Sequence, residues 1–180
     1  MTRPRIIGGT AKGRALETPR HGTRPSPSRL REALFDIVAF EPRGRFLDLY
    51  AGSGAVGLEA ASRGFEAVCV ELSPQAAAVI ERNARNLGLR VEVVRGDALA
   101  YARAHAGEFD VVFAAPPYPL DLREAFLGVV SSGAARPGGL YVLQHPTGFA
   151  PELPDGFAPE RVRLHRYGSN ALTVVRVPDG

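Results

Sequence analysis

The chain has 180 residues, 45% hydrophobic and 23% charged, which suits one globular domain with a sizeable core and is too short for two full ones. No run of about 18 apolar residues occurs, and no apolar core follows the N-terminal charges, so no membrane span, no secretory signal and a cytoplasmic location are expected. The net charge of +3 is uneven, with ten basic and four acidic residues in 1–45 against twelve and fifteen in 46–180, so a basic arm on a near-neutral body suits a polyanionic partner.

Along the chain, residues 5–8 and 14–17 flank Gly9-Thr10-Ala11-Lys12-Gly13 and predict a hairpin. A proline-rich loop follows, and Ser28 is placed to cap a helix over 29–39, with Leu30, Ala33, Leu34, Ile37 and Val38 on one stripe. Pro42 and Gly44 end that unit. Residues 1–45 thus form a basic extension and 46–180 the main domain, together one compact unit. From Phe46 onward strands and helices alternate. Strands are expected over 46–50, 67–71, 91–95, 109–114 and 140–144, with helices over 55–63, 74–87, 98–104 and 122–131. Ser73-Pro74 is a helix opening and Asn86-Leu87-Gly88 a helix stop. Such alternation implies a parallel sheet with right-handed crossovers. The tail differs: 161–167 and 171–177 around Gly168-Ser169-Asn170 read as a β-hairpin. Five alternating strands followed by a hairpin is an unusual ending for a dinucleotide-binding fold and the usual one for a Rossmann-like methyltransferase, so the expected fold is α/β, resembling the class I methyltransferases, with a mostly parallel seven-stranded sheet ending in an antiparallel hairpin.

The segment Phe46-Leu47-Asp48-Leu49-Tyr50-Ala51-Gly52-Ser53-Gly54 carries most of the chemical information. Its glycines let the backbone turn tightly after a strand and approach a ligand closely. Gly52, Gly54 and Gly57 also satisfy G-x-G-x-x-G, and Glu71 ends the next strand, so a nicotinamide dinucleotide is a serious rival ligand. Asp48 argues against it: a carboxylate beside the helix N-terminus opposes a pyrophosphate but accommodates the ammonium and sulfonium of S-adenosylmethionine. Glu71 can accept both ribose hydroxyls, or stand as an exposed strand-end acid. Asp97 can accept from an adenine amino group while the Ala98 amide meets a ring nitrogen; its simpler role is to cap the helix beginning at Ala98.

Arg5-Ile6-Ile7-Gly8-Gly9, Arg24-Pro25-Ser26, the run Arg29 to Phe35 and above all the run from Leu47 to Gly64 resemble the RsmD family, bacterial enzymes that methylate the N2 amino group of one guanine in 16S ribosomal RNA. The resemblance runs in order from residue 5 to about residue 144 and is looser after Pro146. It implies that Asp48, Gly52, Ser53 and Gly54, with Ala51, hold the methionine end of S-adenosylmethionine. It further implies Glu71 and Leu72 at the ribose side and Asp97 with Ala98 at the adenine. The loop Arg24-Pro25-Ser26 would close over the cofactor and border the RNA, and Arg5, Lys12, Arg14, Arg24, Pro25 and Arg29 are the candidate RNA contacts. The implied target is the guanine-966 site of 16S rRNA, within a partly or fully assembled 30S subunit, and the implied enzyme is a monomer without a metal.

After the fourth strand stands Ala114-Ala115-Pro116-Pro117-Tyr118. Enzymes that methylate exocyclic amino groups usually place Asp or Asn before Pro-Pro and an aromatic residue. Such an amino group is a poor nucleophile, because its lone pair is conjugated with the ring; an acceptor orients it and stabilises the charge that develops. Here that position is Ala115, so backbone carbonyls of Ala115 and Pro116 are left to position the amino group, with Pro117 stiffening the turn and Tyr118 stacking on a base flipped from the RNA.

His21, His105, His145 and His165 show no metal-ligand spacing with Cys69, the only cysteine; Cys69 is expected to be a small buried residue, and His145 a loop histidine with a backbone partner. Besides the RNA guanine-N2 methyltransferase, three readings stay open: an S-adenosylmethionine- and RNA-binding assembly factor with little catalysis, an amino-group methyltransferase for another substrate, and a nicotinamide oxidoreductase.

Overall fold

The computed structural model describes residues 3–19, 27–117 and 120–180. In the N-terminal segment the Ile6 amide donates to the Arg14 carbonyl at 3.0 Å and the Gly13 amide to the Ile6 carbonyl at 2.8 Å. The expected hairpin is therefore present, but only one antiparallel bridge, Arg5 with Ala15, qualifies as strand pairing. Helix α1 spans Ser28–Ile37, and Pro27 occupies its N-cap with no side-chain bond. The expectation that Ser28 caps this helix is corrected: Pro27 takes the extended cap conformation and Ser28 already lies inside the first turn.

The remaining elements are β1 (Arg45–Leu49), α2 (Ala55–Ser62), β2 (Glu66–Glu71), α3 (Pro74–Leu87), β3 (Val91–Arg95), α4 (Ala98–Ala104), β4 (Phe109–Ala114), α5 (Leu122–Ser131), β5 (Ala135–Pro146), β6 (Val162–Tyr167) and β7 (Asn170–Arg176). The caps explain the sharp helix boundaries. Ser73 accepts from the Ala76 amide ahead of Pro74, and Gly88 closes α3 in the left-handed region. β5 is longer than the expected 140–144, because Pro137-Gly138-Gly139 is carried inside the strand where its register against β4 shifts between Phe109 and Val111.

The seven strands run in the order β3-β2-β1-β4-β5-β7-β6. The first five are parallel, and β7 pairs antiparallel with both β5 and β6. One apolar layer joins α1 and α2 to the sheet through Leu30, Leu34, Phe35, Phe46, Val111 and Val142. The opposite face carries α4 and α5, with Ala102, Phe126 and Val129 packed on Leu47, Val68, Val112 and Leu143. Successive side chains of a strand point to opposite faces, so burying both faces of β1, β2 and β4 demands the continuous apolar runs seen there. No helix among the described residues is long and apolar enough to cross a membrane.

Candidate functional site

The order of the strands reverses at β1, which is followed in the chain by β2 on one side and flanked by β4 on the other. In parallel sheets a ligand crevice opens outside the carboxyl ends of the strands at such a switch point. Asp48, the glycine loop, Glu71 and Asp97 on one side and Ala115 to Pro117 on the other all lie at that edge.

Asp48 is buried on β1, beneath α2. Its Oδ2 accepts the Gly57 amide at 2.9 Å, and the Cys69 thiol lies at 3.9 Å from the same oxygen. The cap residue of α2, Gly54, is in the left-handed region and offers no side-chain bond. Asp48 thus supplies from the neighbouring strand the acceptor that an N-cap would supply locally. A helix N-terminus ordinarily attracts anions; here a buried carboxyl already occupies that place, and a pyrophosphate would meet it. The second oxygen, Oδ1, has no hydrogen-bond partner among the described residues. Burial pushes the Asp48 carboxyl up to about 8; the Gly57 bond opposes the rise and the nearby Glu71 charge adds to it.

Gly57 makes this arrangement possible. A Cβ there would meet the Cys69 sulfur at 2.2 Å, so the third glycine of G-x-G-x-x-G serves close packing of α2 on β2. The thiol itself is fully buried, as the sequence suggests.

Glu71, at the end of β2, clamps two loops. Its Oε1 accepts the Gly52 amide at 2.7 Å and its Oε2 the Ser73 amide at 2.8 Å. A carboxylate has about four acceptor sites, so each oxygen keeps one for a ligand hydroxyl. Leu72 beside it is 72% exposed, an apolar side chain left open next to an acid. Asp97 does cap α4: its Oδ2 accepts the Ala100 amide at 2.8 Å. It is exposed and keeps its other oxygen, and the Ala98 amide, in the first turn of α4, has no partner among the described residues.

Tyr50 belongs to this site, though nothing in its residue type marks it. It is the one described non-glycine residue with positive φ, at 59°, a conformation costly for a side chain and frequent at functional sites. The chain must leave β1 this abruptly for the Ala51 amide to reach the Val70 carbonyl at 3.0 Å and the Gly54 amide the Ala51 carbonyl at 2.8 Å. Burial pushes the Tyr50 hydroxyl up to about 12, and the charge of Asp97 adds to this, so it remains a neutral donor.

Across the switch point, Ala115 is half-buried against the apolar layer under α1. Pro116 is buried and Pro117 exposed. The carbonyls of Ala115 and Pro116 accept no hydrogen bond among the described residues, whereas that of Pro117 accepts from Leu120. Tyr118, Arg24 and Pro25 lie outside the described residues, as does His21.

The N-terminal segment is held by residues of the family-like run to which the sequence alone assigns no role. Glu59 of α2 accepts the amides of Ile7 and Gly8 at 2.8 and 2.9 Å and pairs with Arg31 and Arg63. Ser62 accepts the Ala11 amide and donates to the Gly8 carbonyl. A Cβ on Gly9 would fall 1.9 Å from the Ser62 carbonyl oxygen. The Glu59 and Ser62-Arg63 part of the family-like run is therefore a socket for the hairpin. Its turn sits at the end of α2 away from the glycine loop, so Lys12 is exposed there, about 12 Å of helix from the cofactor edge. Arg5 and Arg14 are exposed but each gives a donor to a backbone carbonyl, of Gly13 and Asn86. Arg29 is exposed at the start of α1.

His145 is buried, its Nδ1 against the Pro146 carbonyl and its Nε2 against the Thr173 hydroxyl at 2.7 Å. Both ring nitrogens are occupied, so it is a packed residue. Among the described residues no cluster of His, Cys, Asp or Glu could hold a metal ion.

With this geometry in place, the chain can be compared with known proteins. The family described as Conserved hypothetical protein 95 matches residues 4–176. Ribosomal RNA small subunit methyltransferase D of Escherichia coli K12 is 30% identical over 166 residues, which cover 89% of this chain and 84% of that protein. The solved structure of a hypothetical protein of Thermus thermophilus is 48% identical, covers 97% of this chain and 99% of that one, and superposes with a TM-score of 0.83. The 16S rRNA N2 G1207 methyltransferase of T. thermophilus, solved with AdoMet and guanosine, shares the fold at 22% identity and a TM-score of 0.68, over 88% of this chain and 44% of its own.

Proposed function

This chain belongs to the RsmD family, the family described as Conserved hypothetical protein 95, and on that premise we propose that it moves a methyl group from S-adenosylmethionine to the N2 amino group of a guanine in 16S rRNA, the guanine-966 site. One observation carries the reading: the glycine loop with Asp48, Glu71 and Asp97 opens onto the same sheet edge as the free carbonyls of Ala115 and Pro116, across the β1–β4 switch point.

The residues fit S-adenosylmethionine. The acids Glu71 and Asp97 make the crevice acidic, which suits a cation, and Asp48 adds the open polar atom Oδ1 beside the glycine loop. The unpartnered Ala98 amide and the open side chain of Leu72 suit the edge and the face of an adenine. Asp48, Ala51, Gly52, Ser53 and Gly54 would hold the methionine end, Glu71 and Leu72 the ribose side, and Asp97 with Ala98 the base. When bound, the cofactor supplies an electrophilic methyl on a positively charged sulfur.

The chain's own work is positioning. The carbonyls of Ala115 and Pro116 accept the N–H groups of the guanine amino group and aim its lone pair. Pro116 and Pro117 keep those carbonyls fixed, and Tyr118 supplies a stacking face. No residue is required as general base, because the methylated ammonium is acidic enough to lose its proton to water. Arg5, Lys12, Arg14, Arg24, Pro25 and Arg29 contribute contacts to 16S rRNA, within a partly or fully assembled 30S subunit.

Ala115 has no side-chain acceptor, which favours a second reading, an S-adenosylmethionine- and RNA-binding assembly factor with weak catalysis. Mapping modified nucleotides by mass in 16S rRNA from cells with and without the gene decides between them. Loss of one N2-methylguanine in the deletion strain supports the enzyme. Unchanged modification, with purified protein transferring no label to 30S subunits from that strain, supports the binder.

A further inference from the structure

Strand β6 forms the outer edge of the sheet and pairs only with β7. From Arg161 to Pro178 the chain contains four arginines and a histidine but no acid. Most other described arginines are spent on carboxylates or carbonyls, among them Arg31 and Arg63 on Glu59, Arg82 on Glu17, Arg136 on Asp110, and Arg176 on Glu41. The guanidinium groups of Arg161, Arg163 and Arg166 have no hydrogen-bond or ion-pair partner among the described residues.

Their placement follows from the strand. Arg163 stands opposite Val174, on the face that carries α1, whereas Arg166 stands opposite Ala171 and points the other way. With Arg161 they flank the free edge on both faces. On the α1 side, Arg161 and Arg163 line a shallow cleft of about 330 Å³ with Leu140, Val174, Arg176 and a single acid, Glu160. Beside it, Phe40 is 96% exposed, one residue before the Glu41 that holds Arg176. The other end of β6, at Tyr167, lies level with Asn170 and Pro146, at the edge where the candidate site opens.

We propose that this strand edge is a second RNA-binding surface, gripping the sugar–phosphate backbone about 20 Å from the methylated base, with Phe40 stacking on an unpaired base nearby. Free guanidinium groups on both sides of one edge match the phosphates of a backbone laid along it, and an exposed aromatic among arginines matches single-stranded or looped RNA better than an acidic protein segment. The inference rests on the RNA reading of the function. Charge on an open edge also discourages edge-to-edge pairing, and the test separates the two roles.

The full-length protein and a triple variant, Arg161→Gln, Arg163→Gln, Arg166→Gln, are titrated with a labelled stem–loop RNA at several salt concentrations, alongside Phe40→Ala. The triple variant is expected to lose about tenfold in affinity, with a salt slope shallower by roughly two to three. Phe40→Ala is expected to lose roughly fivefold or more with the slope unchanged. Melting temperature and S-adenosylmethionine affinity stay at wild-type values, because these side chains support nothing else. Wild-type affinity and slope in the triple variant would overturn the proposal while leaving the RNA reading intact. So would a triple variant that self-associates without losing RNA, or polyglutamate competing as well as RNA. A wild-type protein that binds neither the stem–loop nor 30S subunits removes the functional reading and this one together.

Discussion

Arg31 of α1 and Glu59 of α2 face each other at 3.3 Å with both side chains fully buried. Glu59 also takes the amides of Ile7 and Gly8, so one carboxylate fastens the basic extension and α1 to the helix that leaves the glycine loop. Breaking a buried pair leaves an uncompensated group behind, which costs about 3–5 kcal/mol. Glu59→Gln should lower the melting temperature by roughly 6–15 °C and raise protease cleavage within the first 20 residues. An unchanged melt would mean that water reaches this socket.

Asp48 titrates with folding. Its folded value of about 8 lies above its ordinary value of 3.8, so the folded state holds the extra proton between them, and stability from this group falls as pH rises from the lower value toward the higher. Asn cannot ionise but can still accept the Gly57 amide. Asp48→Asn should therefore melt roughly 3–6 °C above wild type near pH 9 and close to it near pH 4, while losing S-adenosylmethionine affinity in calorimetry. A variant less stable than wild type at both pH values would contradict the buried-acid assignment.

Gly57 and Cys69 should be coupled. A Cβ at position 57 meets the sulfur at 2.2 Å, an overpacking that costs about 1–3 kcal/mol. Gly57→Ala should be destabilised by that amount in urea melts, and adding Cys69→Ala should return about half of it. Strict additivity of the two changes would show that the clash is relieved elsewhere.

At the acceptor position, Ala115→Asp should raise single-turnover methyl transfer to 30S subunits about tenfold, or leave it level, since a carboxylate orients the amino group better than a carbonyl. A large loss of rate, with cofactor binding intact, would show that the substrate approaches from another direction.

For the basic arm, replacing Arg5, Lys12 and Arg14 together should weaken RNA binding and flatten its salt dependence by roughly two to three, without moving cofactor affinity. Unchanged RNA binding would assign Arg5 and Arg14 to their carbonyl partners alone.

Much of this molecule is legible without coordinates. Helices α3, α4 and α5 and strands β3 and β4 fall where periodicity and capping residues put them, because those signals act between residues about four apart. The glycine loop, Glu71 and Asp97 are likewise local to strand ends, and their gathering at one edge follows from parallel topology. The folded chain alone decides what each carboxylate does there. Asp48 caps a helix nine residues on, Glu59 takes amides 51 and 52 residues away, and His145 meets Thr173 across two strands. It also decides that Tyr50 bends with positive φ and that Arg161, just before the edge strand, and Arg163 and Arg166 on it meet no acid among the described residues. Such facts depend on which buried groups lack water and what stands opposite them, and only packing between distant segments sets either one.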